Sequence, residues 1–242
     1  MYIDDKGIVL RCIKYDDKSF IAHLFTASHG HVSFIINESR SKRSGASARL
    51  FQPLSFLSFQ WNPKPTATLH RMKEVHTLFI QQEIPLHPIK RGIAMVIAEF
   101  MAYALSNETE NRELYDYIEH SIQWFDTTPD KFSNFHLVFL LKLTRFLGIA
   151  PNMEEYSQGS SFDLAHGCFI PPSTPSPMIM DKNDTLLFFR LSESNYNTMD
   201  NITMNRHDRA RLIQYIATHY TLHTPKFPEI KSLDILQEVF NN

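Results

Sequence analysis

The strongest chemical signal in the sequence is a run of positive charge between residues 37 and 54, which reads NESRSKRSGASARLFQPL. A ten-residue part of this run contains four cations, separated mostly by Ser, Ala and Gly: Arg40, Lys42, Arg43 and Arg49. Such spacers keep fixed charges close together and able to contact successive phosphates, and the serine hydroxyls add neutral donors. We therefore predict that residues 37–54, called the basic segment below, bind nucleic acid.

Four further cations could extend this surface. Arg11 and Lys14 lie in one predicted strand, and Arg71 and Lys73 lie in another. Because alternate residues of a strand share a face, each pair is expected to project outward together. Nearby aromatic rings could stack on bases where they are exposed, although the alternation of LSFLSFQW predicts that most belong to the core. These rings are Phe51, Phe56, Phe59 and Trp61.

A search for catalytic motifs finds none of the strong ones. GxGxxG, GxxxxGK[ST], HExxH and GxSxG are all absent, so the sequence predicts no enzyme. One metal-dependent alternative stays open. His219 and His223 are four residues apart on a predicted helix, and His166 and Cys168 could complete a tetrahedral site for a nucleic-acid hydrolase.

The charge of the chain is unevenly distributed. Its net charge is −2, yet residues 1–80 hold eleven Lys and Arg against six Asp and Glu, and the remainder holds thirteen against twenty. A basic N-terminal part and an acidic C-terminal part indicate a polyanion partner for the first and a different partner for the second. The alternative is that two domains of opposite sign only attract each other.

Composition and cysteine content indicate the compartment. With 43% apolar and 21% charged residues the chain has a globular composition, and two cysteines favour a reducing environment. The first residues lack the pattern of a signal peptide, and the most apolar stretch, HLVFLLKLTRFLG, is short and interrupted by Lys142 and Arg145. We expect a cytoplasmic protein with no membrane partner.

The first 80 residues show the alternation of strands. Five short runs follow one another, with a hairpin turn at Gly30 and one long polar connection: 7–15, 19–27, 32–37, 54–61 and 68–79. Five strands of this kind suit a small closed barrel of the oligonucleotide-binding (OB) type. The predicted fold class is therefore α+β, with an OB-fold barrel over residues 1–80 and a helical domain over 81–242.

The second part has helical periodicity. Apolar residues recur at intervals of three and four in 87–105, 108–126, 131–148, 207–222 and 231–240. The pattern fails between residues 149 and 205, where Pro and polar residues dominate and only TLLFFRLS is apolar. We predict an irregular insertion there.

Several of these stretches together resemble the RecO family of bacterial DNA-repair proteins. The resemblance rests on LFTASHGHVSFIIN, the basic ESRSKRS, LFQPLSFLSF, LKLTRFLGIAPN and KSLDILQEVF, and it spans essentially the whole chain. Many members of that family carry a four-cysteine zinc site after the helix that ends in Leu-Gly. Here residues 151–172 offer only Cys168, so we expect no zinc and local packing of Tyr156, Phe162 and Phe169 in its place.

The resemblance implies a non-catalytic recombination mediator. Such a protein binds single-stranded and duplex DNA, promotes annealing, and with a RecR-like partner loads a recombinase onto strands covered by single-strand binding protein (SSB). The resemblance also implies that the helical part recognises the acidic, Phe-ending tail of SSB. An acidic tail would need local basic residues there, such as Lys142 or Arg145. A protein-only adaptor, whose basic segment docks on an acidic partner, remains the competing interpretation.

Overall fold

The computed structural model describes residues 1–37, 48–171 and 174–241. Contacts divide the chain into two compact units, residues 1–127 and 128–242. The first unit contains a five-stranded sheet and two helices: β1 Ile3–Lys14, β2 Ser19–Thr26, β3 Gly30–Asn37, β4 Phe56–Trp61, β5 Met72–Phe79, α1 Pro88–Ala104 and α2 Arg112–Thr127. The predicted boundary after residue 80 follows the change from strands to helices and stays a prediction.

The sheet closes into a barrel. Its antiparallel order is β3-β2-β1-β4-β5, and a parallel bridge joins Phe34 of the outer strand β3 to His70, two residues before the other outer strand, β5. The Ile35 N–H donates to the His70 carbonyl, and the His70 N–H donates to the Ser33 carbonyl, both at 2.9 Å. This order and closure are those of the OB fold, so the predicted α+β fold class is confirmed.

The barrel interior explains why these strands form. Alternate residues point inward and pack into a buried apolar cluster, and β3 shows the pattern most clearly. The cluster consists of Val9, Phe20, Ala22, Leu24, Val32, Phe34, Ile36, Phe51, Leu57, Phe59 and Trp61. At the turn between β2 and β3, Gly30 has φ +67°, and a Cβ there would lie 2.3 Å from the Glu108 carbonyl oxygen. Only glycine fits this position.

The two helices belong to the first unit because a buried carboxylate fixes the chain between β5 and α1. Asp126, near the end of α2, is fully buried and accepts hydrogen bonds from the backbone N–H groups of Gln82, Glu83 and Ile84 at 2.8–3.0 Å. The buried ammonium of Lys90 donates to the Asp126 carbonyl at 3.0 Å. Residues 82–84 are thereby held against the end of α2.

The second unit is built from helices and a small sheet: α3 Phe135–Phe146, β6 Ser161–Asp163, β7 Cys168–Ile170, α4 Lys182–Glu193, α5 Arg206–His223 and α6 Ser232–Asn241. Segment 149–205 is therefore not irregular throughout, because it contains α4, β6 and β7. Asp181 caps α4 by accepting from the N–H groups of Asn183 and Asp184. In the described residues, no helix is both long and apolar enough to span a membrane.

Replacing Asp126 with Ala should destabilise the first unit by about 3–5 kcal/mol, because a buried carboxylate that accepts three backbone N–H bonds is lost and the buried Ile84 N–H is left unpaired. The measurement is urea unfolding followed by tryptophan fluorescence. Trp61 and Trp124, the only tryptophans of the chain, both lie in the first unit, so the signal reports that unit alone. Asp17→Ala, at an exposed position of the same unit, is the control. Equal midpoints for the two variants would contradict this role of Asp126.

Candidate nucleic-acid interface

The basic segment connects β3 to β4, and the structure shows how its far end is anchored. Arg40, Lys42 and Arg43 lie outside the described residues, whereas Arg49 is described and exposed in a short 3-10 helix, Ala48–Phe51. Phe51 is buried in the barrel, 5.4 Å from the Phe20 ring. The Cys12 thiol donates to the Phe51 carbonyl at 3.2 Å. The described end of the segment is therefore fixed to the barrel at Phe51.

The cations at the start of β5 lie on the barrel surface. Arg71 and Lys73 are both exposed and two residues apart. The Lys73 ammonium lies 4.4 Å from the centre of the Tyr2 ring. A cation beside an exposed ring can contact a phosphate and a base together, which is the combination that single-strand-binding surfaces use.

The cations of β1 do not form the outward pair that we predicted. Lys14 is 79% exposed at the end of the strand, with Asp17 at 3.8 Å. Arg11 is half-buried, and its guanidinium lies 5.4 Å from the Tyr103 ring of α1. The two residues are three apart, and the strand register shifts between Val9 and Arg11. Because only residues two apart share a face, Arg11 turns towards the helix.

The aromatic rings near the basic segment are all interior. Phe51, Phe56, Phe59 and Trp61 are at most 2% exposed, so none can stack on a base in this structure. In the first unit, the exposed tyrosine rings are those of Tyr2 and Tyr15, whose exposed fractions are 48% and 58%. Both flank a strand end rather than the alternating part of a strand, and each neighbours a predicted cation. This position beside a cation at a strand end can be read from the sequence, but we did not predict that these two tyrosines are exposed.

The histidines of the metal-dependent alternative are used in hydrogen bonds. Nε2 of His219 lies 2.7 Å from the Ile149 carbonyl oxygen, and Nε2 of His223 lies 2.9 Å from the Leu164 carbonyl oxygen. Since a carbonyl only accepts, each Nε2 carries the proton and cannot bind a metal in this arrangement. Gly167 lies beside both rings, so the turn from His166 to Cys168 is indeed close. Among the described residues, no group of three or more His, Cys, Asp or Glu could hold a metal ion.

An aromatic cluster occupies the region where a zinc site would be expected. Tyr156 packs against Phe169 at 5.2 Å and is stacked on Phe189 at 4.0 Å, and Phe162 contacts Phe169 and Phe188. The only thiol there is Cys168, whose pKa is raised by burial and by the charges of Asp163 and Glu155. A four-thiolate zinc site needs four cysteines and residues 151–172 contain one, so these residues do not fit such a site.

Comparison with known proteins supports the family resemblance that was found in the sequence, and it does so over nearly the whole chain. A family model described as Recombination protein O N terminal matches residues 1–80, and one described as Recombination protein O C terminal matches residues 85–234. The chain is 42% identical over 238 residues to the DNA repair protein RecO of Bacteroides fragilis, covering 97% of this chain and 98% of that protein. It is 40% identical over 235 residues to the protein of the same name from Phocaeicola vulgatus, with the same coverage.

Chelation should leave the protein unchanged. We expect dialysis against a chelator to preserve the melting temperature, because aromatic packing and carbonyl hydrogen bonds occupy both places where a metal was conceivable. Elemental analysis of the purified protein should find only substoichiometric zinc. Phe169→Ala should lower the melting temperature, whereas Cys168→Ala should not. One zinc per chain, lost together with stability on chelation, would contradict this expectation.

Proposed function

Because the chain belongs to the RecO family of recombination proteins, we propose that it is a mediator of DNA repair that binds DNA through its barrel without reading the base sequence. The observation that supports this most directly is the closed barrel, whose exposed cations lie at strand ends and whose basic segment is anchored at Phe51. The proposal includes no catalytic step and no metal.

The physical basis of binding is the release of counterions from the phosphate backbone. Lys and Arg side chains that neutralise phosphates release the condensed cations, which makes affinity fall steeply with salt. Arg40, Lys42, Arg43 and Arg49 would contribute most, with Lys14, Arg71 and Lys73 on the barrel surface. Arg11, which packs against Tyr103, would contribute through the field of its charge rather than by direct contact.

Exposed tyrosines supply the stacking component. Tyr2 lies beside Lys73, and Tyr15 follows Lys14 in the chain. Stacking of a base on such a ring is worth about 1–3 kcal/mol and tolerates any base. This agrees with a protein that must act on strands of any sequence.

The helical unit is the proposed partner-binding part. Lys142 and Arg145 lie on α3, and burial together with the positive charge of Arg145 lowers the pKa of Lys142. An anionic peptide would relieve this repulsion, so the acidic, Phe-ending tail of SSB is a suitable ligand. A RecR-like protein would complete the machinery that loads the recombinase. The two unpaired cysteines suit the cytoplasm as the place of action.

A protein-only adaptor is the competing function. It would use the same cations to dock on an acidic protein and would have no measurable affinity for oligonucleotides. Binding to a labelled single strand at two salt concentrations distinguishes the two functions, because only the mediator should show strong salt dependence.

Replacing Lys42 and Arg43 together with Ala should weaken single-strand binding and flatten its salt dependence. Each lost phosphate contact lowers the slope of log K against log salt by about 0.7 for single strands, so the double variant should lose about 1.4. For duplex DNA the expected loss is about 1.8. Fluorescence anisotropy with a labelled oligonucleotide measures both slopes.

A matched pair controls for net charge. Lys182 and Arg190 are exposed on α4, outside the barrel unit. Their double Ala variant has the same net charge as the Lys42 and Arg43 variant but should keep the wild-type slope. If the two double variants behave alike, general electrostatics rather than the basic segment is responsible, and this site assignment fails.

Replacing Lys142 and Arg145 with Ala should separate partner binding from DNA binding. We expect affinity for an acidic, Phe-ending peptide to fall about tenfold, since two ion pairs, one of half-buried Lys142 and one of exposed Arg145, are lost at up to ~1 kcal/mol each. Annealing of SSB-coated strands should fall with it, while binding to bare strands should remain. The Lys42 and Arg43 variant should lose both activities. Unchanged annealing on coated strands would remove α3 from the proposal.

A further inference from the structure

An apolar pocket lies in the first unit, between the end of β5, the start of α1 and the chain that enters β4. Its volume is about 650 Å³, within the range of preformed ligand sites. More than half of its lining residues are apolar, and those from β5, α1 and the connection between them are Phe79, Ile80, Ile84, Pro85, Ala94 and Met95. The lining contains two arginines and no acidic residue.

The walls of the pocket are held by contacts within the unit. The side-chain amide of Gln81 donates to the Leu54 carbonyl at 2.9 Å, which ties the chain after β5 to the chain before β4. The Leu54 N–H donates in turn to the Val9 carbonyl at 2.7 Å. Phe79 packs edge to face on the buried ring of Phe56 at 6.0 Å. Because the pocket is already formed, a ligand loses little affinity to ordering its walls.

The rim of the pocket exposes large apolar side chains to solvent. Ile80 is 75% exposed and Met95 is 40% exposed, and both belong to the lining. Leu86, which follows the lining residue Pro85 in the chain, is 80% exposed. Single exposed apolar residues are ordinary on a protein surface, but a group of them around a pocket marks a place that another molecule covers.

The charge at the rim is positive. Arg91 and Met95 are four residues apart on α1 and both exposed, so they lie on one face of the helix beside the pocket. Arg49, from the 3-10 helix, adds a second guanidinium to the lining. A guanidinium binds a carboxylate through two parallel N–H bonds. The pocket is therefore complementary to a molecule that carries a carboxylate close to a large apolar group.

We propose that this pocket binds an acidic segment of a partner protein, which inserts one large apolar side chain between β5 and α1 and places a carboxylate on Arg91. The inference goes beyond the proposed function, because it assigns a protein partner to the barrel unit and does not depend on the binding of DNA.

A nucleic-acid strand fits this pocket less well than a peptide does. A strand needs cations along its path and open ring faces on which its bases stack. The one aromatic ring of the lining is that of Phe79, which is half-buried and packed on Phe56. An apolar centre with arginine at its edge is instead typical of the residues that dominate protein–protein interfaces.

The first test measures the binding of a short, fluorescently labelled peptide that carries one Phe among Asp and Gly residues. We expect the full-length protein to bind this peptide. Replacing the Phe of the peptide with Ala should weaken binding about thirtyfold, because the side chain that fills the pocket is lost. Replacing its Asp residues with Asn should weaken binding about fivefold or more, because the carboxylate on Arg91 is lost.

Variants of the protein test the same two contacts. Arg91→Ala should weaken binding of the peptide about fivefold, and Ile80→Glu should weaken it about tenfold by placing a like charge on the apolar rim. Both side chains are exposed, so neither change removes a buried contact. Lys18→Ala and Ile13→Glu, at exposed positions of the same unit and outside the pocket, are the matched controls and should bind as the wild type does.

A spectroscopic measurement locates the bound peptide. In protein labelled with carbon-13 in the methionine methyl groups, the resonance of Met95 is identified by its loss in Met95→Leu. This resonance should shift when the peptide is added, because Met95 lines the pocket. An oligothymidylate, added as the second probe, should leave it in place.

The outcomes separate this inference from the proposed function. If Arg91→Ala and Ile80→Glu bind the peptide as the wild type does, or if the Met95 resonance does not move, the pocket is not the site and the inference fails. If the oligothymidylate shifts that resonance and the peptide does not, the pocket takes a base and the inference is overturned. If the Lys142 and Arg145 variant loses the peptide instead, the peptide binds the helical unit. None of these results changes the salt slope of the Lys42 and Arg43 variant, which judges the proposed function by itself.

Discussion

The closure of the barrel between β3 and His70 is the constraint on which the rest of the first unit depends. Two backbone hydrogen bonds, which together form the parallel bridge between Phe34 and His70, join segments that are far apart in the chain. Without them β3 and β5 would both be open edges, which invite pairing with other chains. With them, Phe34 and Trp61 meet inside at 5.3 Å, and the ring of His70 packs on Trp61 at 4.8 Å. One contact therefore completes the core.

Asp126 attaches the first two helices to the chain that follows the barrel. A chain leaving a barrel has backbone donors that β5 no longer satisfies, and burying them unpaired would be costly. Asp126 satisfies three of them at once from the end of α2. Lys6 adds a second link, with its ammonium 2.7 Å from Glu119 and 4.7 Å from the Tyr115 ring. The barrel and the first two helices therefore form one compact unit, although their secondary structures differ.

Local patterns predicted the strands and most helices because burial on one face imposes a period that the sequence shows directly. They did not predict α4, since Lys182–Glu193 depends on the Asp181 cap and on Arg211, which forms a bidentate pair with buried Asp184. They also misplaced Arg11, because Arg11 and Lys14 are three residues apart and residues at an odd spacing in a strand lie on opposite faces. The packing of His29 and His70 on Trp61 could not be predicted from sequence alone, because the fold of the barrel brings these rings together and nothing in their spacing indicates that.

The burial of the β4 rings bears on how an annealing protein can work. Two strands anneal only if their base edges stay accessible, so a mediator must hold phosphates and release bases. Had Phe56, Phe59 and Trp61 been exposed, they would have stacked on bases and removed them from pairing. They lie inside the barrel instead, and the exposed groups are cations, imidazoles and two tyrosines at strand ends. Contacts to the backbone position a strand without reading its bases, and base stacking is confined to two tyrosines, so the proposed surface would hold a strand and leave most of its bases free to pair.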